Sequence, residues 1–303
     1  MKEWIIGTRG SDLALWQARF LQAQLNSLGI QSTLKIIKTQ GDILEDLTFD
    51  KIEGKGFFTK ELETALLREE IDLAVHSMKD LPTSHANQLI IAGISERATP
   101  NDVLLIRKTV VSSEMPLKLP QSPVVGTSSI RRKVQLKGFR SDAILNDIRG
   151  NVPTRIKKLQ SGEFDAIILA AAGLERLQIN LDGLEVINFH PREFVPAPAQ
   201  GILAYQCHTE NIEIRKILNR IHHTETAKCS NVERTVLKMA DGGCHLPLGV
   251  YCEKDNMGHF HCSAVYARSI HDPVIRVFVS RSTTFGLAEE VFRQLCSKSD
   301  IKI

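Results

Sequence analysis

Apolar positions in the first third of the chain switch repeatedly between two periods. Trp4 to Thr8 reads as a strand. Ala14, Ala18, Leu21, Leu25 and Leu28 then recur at the three-to-four spacing of a helix, with Ser11 as its N-cap and Gly29 at its end. Thr33 to Lys38 reads as the next strand, a helix runs from about Phe58 to Glu70, and Asp72 to His76 is a short, nearly continuous apolar strand. Between them the polar stretch GDILEDLTFDKIEGKG carries charge and paired glycines, the composition of a mobile loop. Such strand-helix-strand repetition predicts a parallel or mixed sheet covered by helices.

A second unit of the same kind begins near Asp102. Its pieces are PVVGT, a helix from Ser128, DAILNDI, a helix from about Val152, DAIILA and a short helix through Leu174. In VPAPAQGILAYQC, Val195 to Cys207, prolines stop the preceding segment and an apolar strand follows, the pattern of a return crossing. From about Ile221 a long helix leads to alternating strands at Val250, Phe260 and Val274 and a final helix, a smaller α+β domain. The predicted fold is therefore α/β in three domains: residues 1–98 with 197–218, residues 102–194, and residues 221–303. Tandem α/β units also lead one to expect a cleft between them.

The 303 residues suffice for two or three domains, each with its own core. A chain that is 43% hydrophobic and 24% charged has the composition of an ordinary globular protein. No apolar run approaches the roughly 20 residues of a membrane span. The opening MKEWIIGTRGSD enters a strand at once, without a signal or transit pattern, so the expected compartment is the cytoplasm. With 38 basic against 35 acidic residues, a net charge of +3 argues against a general binder of nucleic acid, and anion specificity has to come from local clustering. The six cysteines form no CxxC pair, so neither a zinc knuckle nor a disulfide framework is expected. His259, His261 and Cys262 alternate across a strand and do not converge on a metal, and His222-His223 reads as helix surface.

Clustering is found in GTSSIRRKVQL, Gly126 to Leu136. Hydroxyl residues line a strand-to-helix turn, and Arg131 and Arg132 lie in the first helical turn, where cations oppose the helix dipole unless an anion answers them. Alone, such a pair reads as a solvated basic face. Arg149 and Arg155 in DIRGNVPTR and Arg176 in AAGLERL add cations at or after predicted strand ends, the rim where open α/β sheets bind ligands. GTRGS contributes Arg9 and Ser11 at the corresponding turn of the first unit. Arginine suits bidentate gripping of carboxylates or phosphates. Neither GxxxxGK[ST] nor GxGxxG stands where a strand meets a helix, which argues against a nucleotide enzyme. In DLAVHSMKDLPT, Lys79 and Asp80 leave a buried strand end, either as an exposed ion pair or as a carboxylate kept ionised to stabilise positive charge. Cys244, in DGGCHLPLG after the first helix of the last domain, reads as an anchor or as a nucleophile with His245 the nearest base.

Taken together, GTRGSDLALWQ, GKGFFTKELE, DLAVHSMKDLPT, VGTSSIRRKVQL, DIRGNVPTR, FDAIILAAAGLERL, PAPAQG and DGGCHLPLG resemble the porphobilinogen deaminase (hydroxymethylbilane synthase) family, in the family's order and over essentially the full chain. The resemblance implies three domains, two of them like periplasmic binding proteins. It also implies a monomeric transferase of heme and tetrapyrrole biosynthesis that joins four porphobilinogen molecules head to tail and releases ammonia, with no nucleic acid, membrane or metal as partner. It implies Asp80 as the catalytic residue, contacting pyrrole N–H groups and stabilising the cationic azafulvene, and Cys244 as the thioether attachment of a dipyrromethane primer. Cofactor contacts are implied for Ser77, Lys79, Thr127, Ser129, Arg131, Arg132, Asn151 and Arg155. Substrate contacts are implied for Arg9, Ser11, Arg149, Gly150, Arg176 and Gln200, and a mobile active-site loop over 41–57 includes Lys55. The chain departs from the pattern at Ala199, where the family often has glycine, and at Asn101, where it often has arginine. Two other readings compete: a dicarboxylate-binding receptor, which needs neither DGGC nor a third domain, and a cysteine hydrolase using Cys244.

Overall fold

The computed structural model describes residues 2–38, 59–84, 86–240 and 246–299. The chain divides into two compact units, Met1–Ala98 with Gly201–Ala227, and Thr99–Gln200 with Lys228–Ile303. Lys55, the rest of the 41–57 stretch, Cys244 and His245 lie outside the described residues.

The first unit is a mixed sheet of β1 (Trp4–Thr8), β2 (Ser32–Ile36), β3 (Leu73–Ser77), β4 (Leu89–Ile94) and β10 (Leu203–His208), in the order β2-β1-β3-β10-β4. β1 runs parallel to β2 and β3, and β10 is antiparallel to both β3 and β4. The expected return crossing is thus β10, inserted beside β3. Helix α1 (Asp12–Ser27) joins β1 to β2, and Ser11 caps it by accepting the Ala14 N–H at 3.4 Å. Because strand residues alternate sides, Leu73 and Val75 enter one apolar core with Trp4, Ile6, Leu21, Tyr205 and Leu218 of α6 (Ile212–Asn219). Ala74 enters the other, with Leu62 and Leu66 of α2 (Lys60–Leu67). Coverage of both faces explains why β3 reads as a continuous apolar run.

The sheet of the second unit repeats this plan. β5 (Asp102–Arg107), β6 (Val124–Gly126), β7 (Ile144–Asn146), β8 (Ala166–Ala170) and β9 (Leu184–Asn188) lie in the order β7-β6-β8-β5-β9. β6 is parallel to β7 and β8, while β5 is antiparallel to β8 and β9. In each sheet, three parallel strands are followed by one that runs against them. Helices α3 (Ile130–Phe139), α4 (Val152–Gln160) and α5 (Ala171–Leu177) follow β6, β7 and β8. Val103 and Leu105 enter one core, and Leu104 and Ile106 the other.

Within the same unit β11 (Leu248–Lys254), β12 (Phe260–Tyr266) and β13 (Ile275–Arg281) form an antiparallel sheet. Its core gathers Val236 and Leu237 of α7 (Thr224–Met239) with Leu287, Val291 and Leu295 of α8 (Leu287–Ser299). His261 and Cys262 face opposite sides of β12: His261 Nε2 lies 3.0 Å from Asp255 Oδ2, whereas Cys262 is buried. His222 and His223 precede α7 rather than riding on its surface, and His223 Nδ1 accepts the Thr226 N–H at 3.2 Å, so that histidine starts the helix. The short segment before β10 is held by this small sheet. Val250 N–H donates to Pro196 O at 3.1 Å, and the buried Glu233 carboxylate accepts N–H groups from Ala199 at 2.6 Å and Cys252 at 2.7 Å.

Gly249 faces that segment so closely that a Cβ would stand 2.6 Å from Val195 O and 2.9 Å from Val265 Cγ2. Gly249→Ala must push β11 off the backbone of 195–196, and we expect it to lose about 1–3 kcal/mol of stability in urea unfolding. An unchanged unfolding midpoint would contradict this packing.

Candidate active site

In the first unit the expected residues gather at the ends of adjacent parallel strands. β3 ends at Ser77 and turns through a single tight helical turn, Met78–Asp80. The turn is pinned from below, since Met78 and Leu81 are buried and Met78 N–H donates to Ile202 O at 2.9 Å. Asp80 is left exposed, with no hydrogen-bond or ion-pair partner among the described residues, and Lys79 beside it is half-buried. The Ser77 hydroxyl accepts from Gln17 Nε2 at 2.9 Å, which ties this strand end to α1. Arg9 and Ser11 follow β1, the neighbour of β3, and Thr8 Oγ1 donates to Ala14 O at 3.0 Å to fix their turn.

In the second unit Arg131 and Arg132 do not form a solvated basic face. Both are buried, and both meet an anion of the chain itself: Asp102, the first residue of β5 and fully buried. Arg131 Nη1 donates to Oδ2 at 2.7 Å. Arg132 donates to Oδ1 through Nη2 at 2.7 Å and Nε at 3.2 Å. Gln200 Nε2 adds a bond to Oδ1 at 3.0 Å and another to Pro100 O at 2.7 Å, so its amide nitrogen joins this cluster. Burial alone would raise the Asp102 carboxyl, but the charges and hydrogen bonds of the two guanidiniums prevail and hold it far below the ordinary carboxylate range.

The cluster remains cationic. Arg155 is half-buried in the first turn of α4; its Nε donates to Gly150 O at 2.7 Å, and no carboxylate answers it among the described residues. Burial lowers its guanidinium to about 10, and the nearby charge of Arg132 works in the same direction. Nε and Nη2 of Arg131 likewise have no hydrogen bond among the described residues, because Nη1 alone makes its contacts, to Asp102 and to Val195 O at 2.8 Å. Arg131, Arg132 and Arg155 against Asp102 leave two positive charges without a counterion among the described residues.

Hydroxyl and amide groups surround these cations. Thr127 is buried and accepts the Ser129 N–H on Oγ1 at 3.3 Å. Ser128 exchanges bonds with the backbone of Ile148, donating at 2.8 Å and accepting at 3.1 Å. Ser129 stands at the N-cap of α3 but makes no capping bond, and its hydroxyl has no partner among the described residues. Asn151 caps α4 by accepting the Thr154 N–H at 3.0 Å. Gly150 before it has φ +104, and a Cβ there would stand 2.6 Å from Thr154 Cγ2, so the turn requires glycine. Arg149 lies just past β7, whereas Arg155 and Arg176 belong to helices rather than to strand ends, and Arg149 and Arg176 are half-buried. Ala199 adopts φ +62 with its side chain buried, a conformation that costs an L-residue about 1–2 kcal/mol and suits glycine.

Sequence reasoning missed Asp102 and Glu233. Asp102 had one visible signal, an acid opening the otherwise apolar strand DVLLI. Glu233 had none, since an acid on a helix normally faces solvent.

An exposed strand end whose carboxylate is unclaimed among the described residues, and buried arginines that outnumber their described acids, mark an α/β protein with donors suited to acidic groups. Residues 4–216 match the family described as porphobilinogen deaminase, dipyromethane cofactor binding domain. The chain is 41% identical to the porphobilinogen deaminase of Chloroherpeton thalassium, over 96% of this chain and 91% of that one. It is 40% identical to that of Helicobacter hepaticus, over 95% and 90%. The chain belongs to the porphobilinogen deaminase family, the hydroxymethylbilane synthases. It is a transferase of heme and tetrapyrrole biosynthesis that joins porphobilinogen units on a dipyrromethane cofactor, so the receptor and cysteine-hydrolase readings fall away. A periplasmic binding protein of Salmonella typhimurium aligns with a TM-score of 0.43 at 11% identity, over 75% of this chain and 94% of that one, a likeness too slight to bear on function.

The residues present fit the cofactor. It is acidic, and the second unit offers it two positive charges, an Arg131 edge and a Ser129 hydroxyl that have no partner among the described residues. Because Arg155 is a partly desolvated cation without an acid, removing its charge should relieve the fold. In a Cys244→Ala background, which lacks the thiol assigned to the cofactor, we expect Arg155→Gln to raise unfolding free energy by about 1–2 kcal/mol in urea titrations. A lower value would show that the chain already neutralises Arg155.

Proposed function

We propose that Asp80 is the catalytic residue of this transferase and that Cys244 is the attachment point of its cofactor. The Asp80 assignment is supported by its exposed carboxylate, set by buried neighbours at the end of β3 and unclaimed among the described residues. Such a carboxylate accepts N–H bonds from a pyrrole and stabilises the positive charge that develops as ammonia leaves porphobilinogen. When bound, dipyrromethane supplies the pyrrole carbon to which the first substrate unit is joined.

The remaining roles follow from charge and donor availability. Ser77, Lys79, Thr127, Ser129, Arg131, Arg132, Asn151 and Arg155 hold the cofactor. Arg9, Ser11, Arg149, Gly150 and Arg176 hold the carboxylates of substrate and lengthening chain. Gln200 joins them in substrate binding while its Nε2 bonds to Asp102, and Lys55 belongs to the active site. The single observation that carries this reading is the excess of two positive charges around Arg131, Arg132 and Arg155. The enzyme acts as a monomer in the cytoplasm, without nucleic acid, membrane or metal. Its domains are 1–98 with 197–218, 102–194 and 221–303. No helix among the described residues is long and apolar enough to cross a membrane.

Intact-mass measurement of freshly purified protein should show an adduct of two pyrrole units that maps to the peptide containing Cys244. Active protein with unmodified Cys244 would defeat the assignment. Asp80→Ala should keep its fold and its adduct while kcat falls by about 10²-fold or more. Retention of most activity would remove Asp80 from the chemistry.

A further inference from the structure

Asp102 cannot itself hold an acidic cofactor. It is fully buried and anionic, and its two oxygens are occupied by Arg131, Arg132 and Gln200. Its own place is set by the sheet: it pairs with Ala170 in β8, and its carbonyl accepts the Phe189 N–H at 3.1 Å. From that fixed point it orders two long side chains. Arg131 Nη1 is held between Asp102 and Val195 O, while Gln135 clamps Val195 by donating to its carbonyl at 2.9 Å and accepting its N–H at 2.7 Å. One corner of the guanidinium is therefore immobilised, and the opposite edge, Nε with Nη2, is left open. Arg132 is held on all three nitrogens, by Asp102 and by Ile168 O at 2.8 Å.

We infer that Asp102 is a positioning residue for the cofactor: it presets the guanidiniums of Arg131 and Arg132 in the orientation that receives cofactor carboxylates, and it limits the excess charge they present. The inference rests on the reading that these arginines hold the cofactor. Ordering flexible side chains in advance removes that entropy from the binding step, and small displacements of a positioned group have large kinetic effects. A carboxylate that only neutralised buried charge would be needed for folding but not for loading.

The test uses the full chain purified without its adduct and incubated with porphobilinogen, from which the cofactor is made, with intact mass read over time. At equal far-ultraviolet circular dichroism, Asp102→Asn should load the two-pyrrole adduct about 10-fold more slowly or worse. Among loaded molecules kcat should fall while KM for porphobilinogen stays within about 2-fold. Asp102→Glu keeps the charge but shifts it by one methylene, and it should load at an intermediate rate. Wild-type loading and kcat in Asp102→Asn overturn the inference. If Asp102→Asn does not fold, Asp102→Glu decides, with a wild-type rate overturning it. Failure of both variants to fold also overturns it, in favour of a purely structural carboxylate. Arg132→Gln, run in parallel, separates the two levels. Normal loading of Arg132→Gln defeats the assignment of the arginines to the cofactor. Its failure beside normal loading of Asp102→Asn defeats only the role of Asp102.

Discussion

Two guanidiniums share one buried carboxylate at Asp102, and much of the second unit is arranged around that unequal bargain. Breaking a buried ion pair by removing one partner costs about 3–5 kcal/mol, a large part of the about 5–15 kcal/mol that holds a domain together. The start of β5, the first turn of α3, the 195–200 segment and the middle of β8 all contribute a partner to it. A hydrophobic replacement of similar volume would serve stability equally well. Stability alone therefore does not account for a cluster that remains positive after its one acid is counted.

Function accounts for it. Porphobilinogen carries an acetate and a propionate, so every unit added brings two more carboxylates. Arg155, with no acid among the described residues, and the open edge of Arg131 are left for such groups. Asp80 has the opposite character, a carboxylate with no cation among the described residues on an exposed turn, suited to charge that appears only during reaction. In the function proposed, acid is met by buried arginine and transient cation by this carboxylate.

Much of this was legible in the sequence. Period switching identified β1, α1, β3 and β8, and Ser11 was recognisable as a helix start because a short polar side chain can replace the missing backbone partner. Strand β9 went unread: LEVIN alternates over only five residues, and its pairing with β5 is a long-range fact. The arginines were visible, but their burial was not, because the acid that buries them opens a different element and meets them only in the folded sheet. His223 was misread for a related reason, since a ring nitrogen can start a helix as a hydroxyl does. At Ala199 the sequence showed a methyl where glycine is common, and the structure supplies the consequence: a left-handed backbone whose N–H is held by Glu233.

The central claim is that the excess charge of the arginine cluster is answered by the carboxylates of the cofactor. The most direct test compares thermal unfolding of the loaded protein with that of the Cys244→Ala chain at equal ionic strength. The loaded protein should melt higher by about 4 °C or more, and the gap should narrow as salt rises and screens the carboxylates from the arginines. Equal melting temperatures would mean that the cofactor leaves the cluster as it finds it, and would contradict the account.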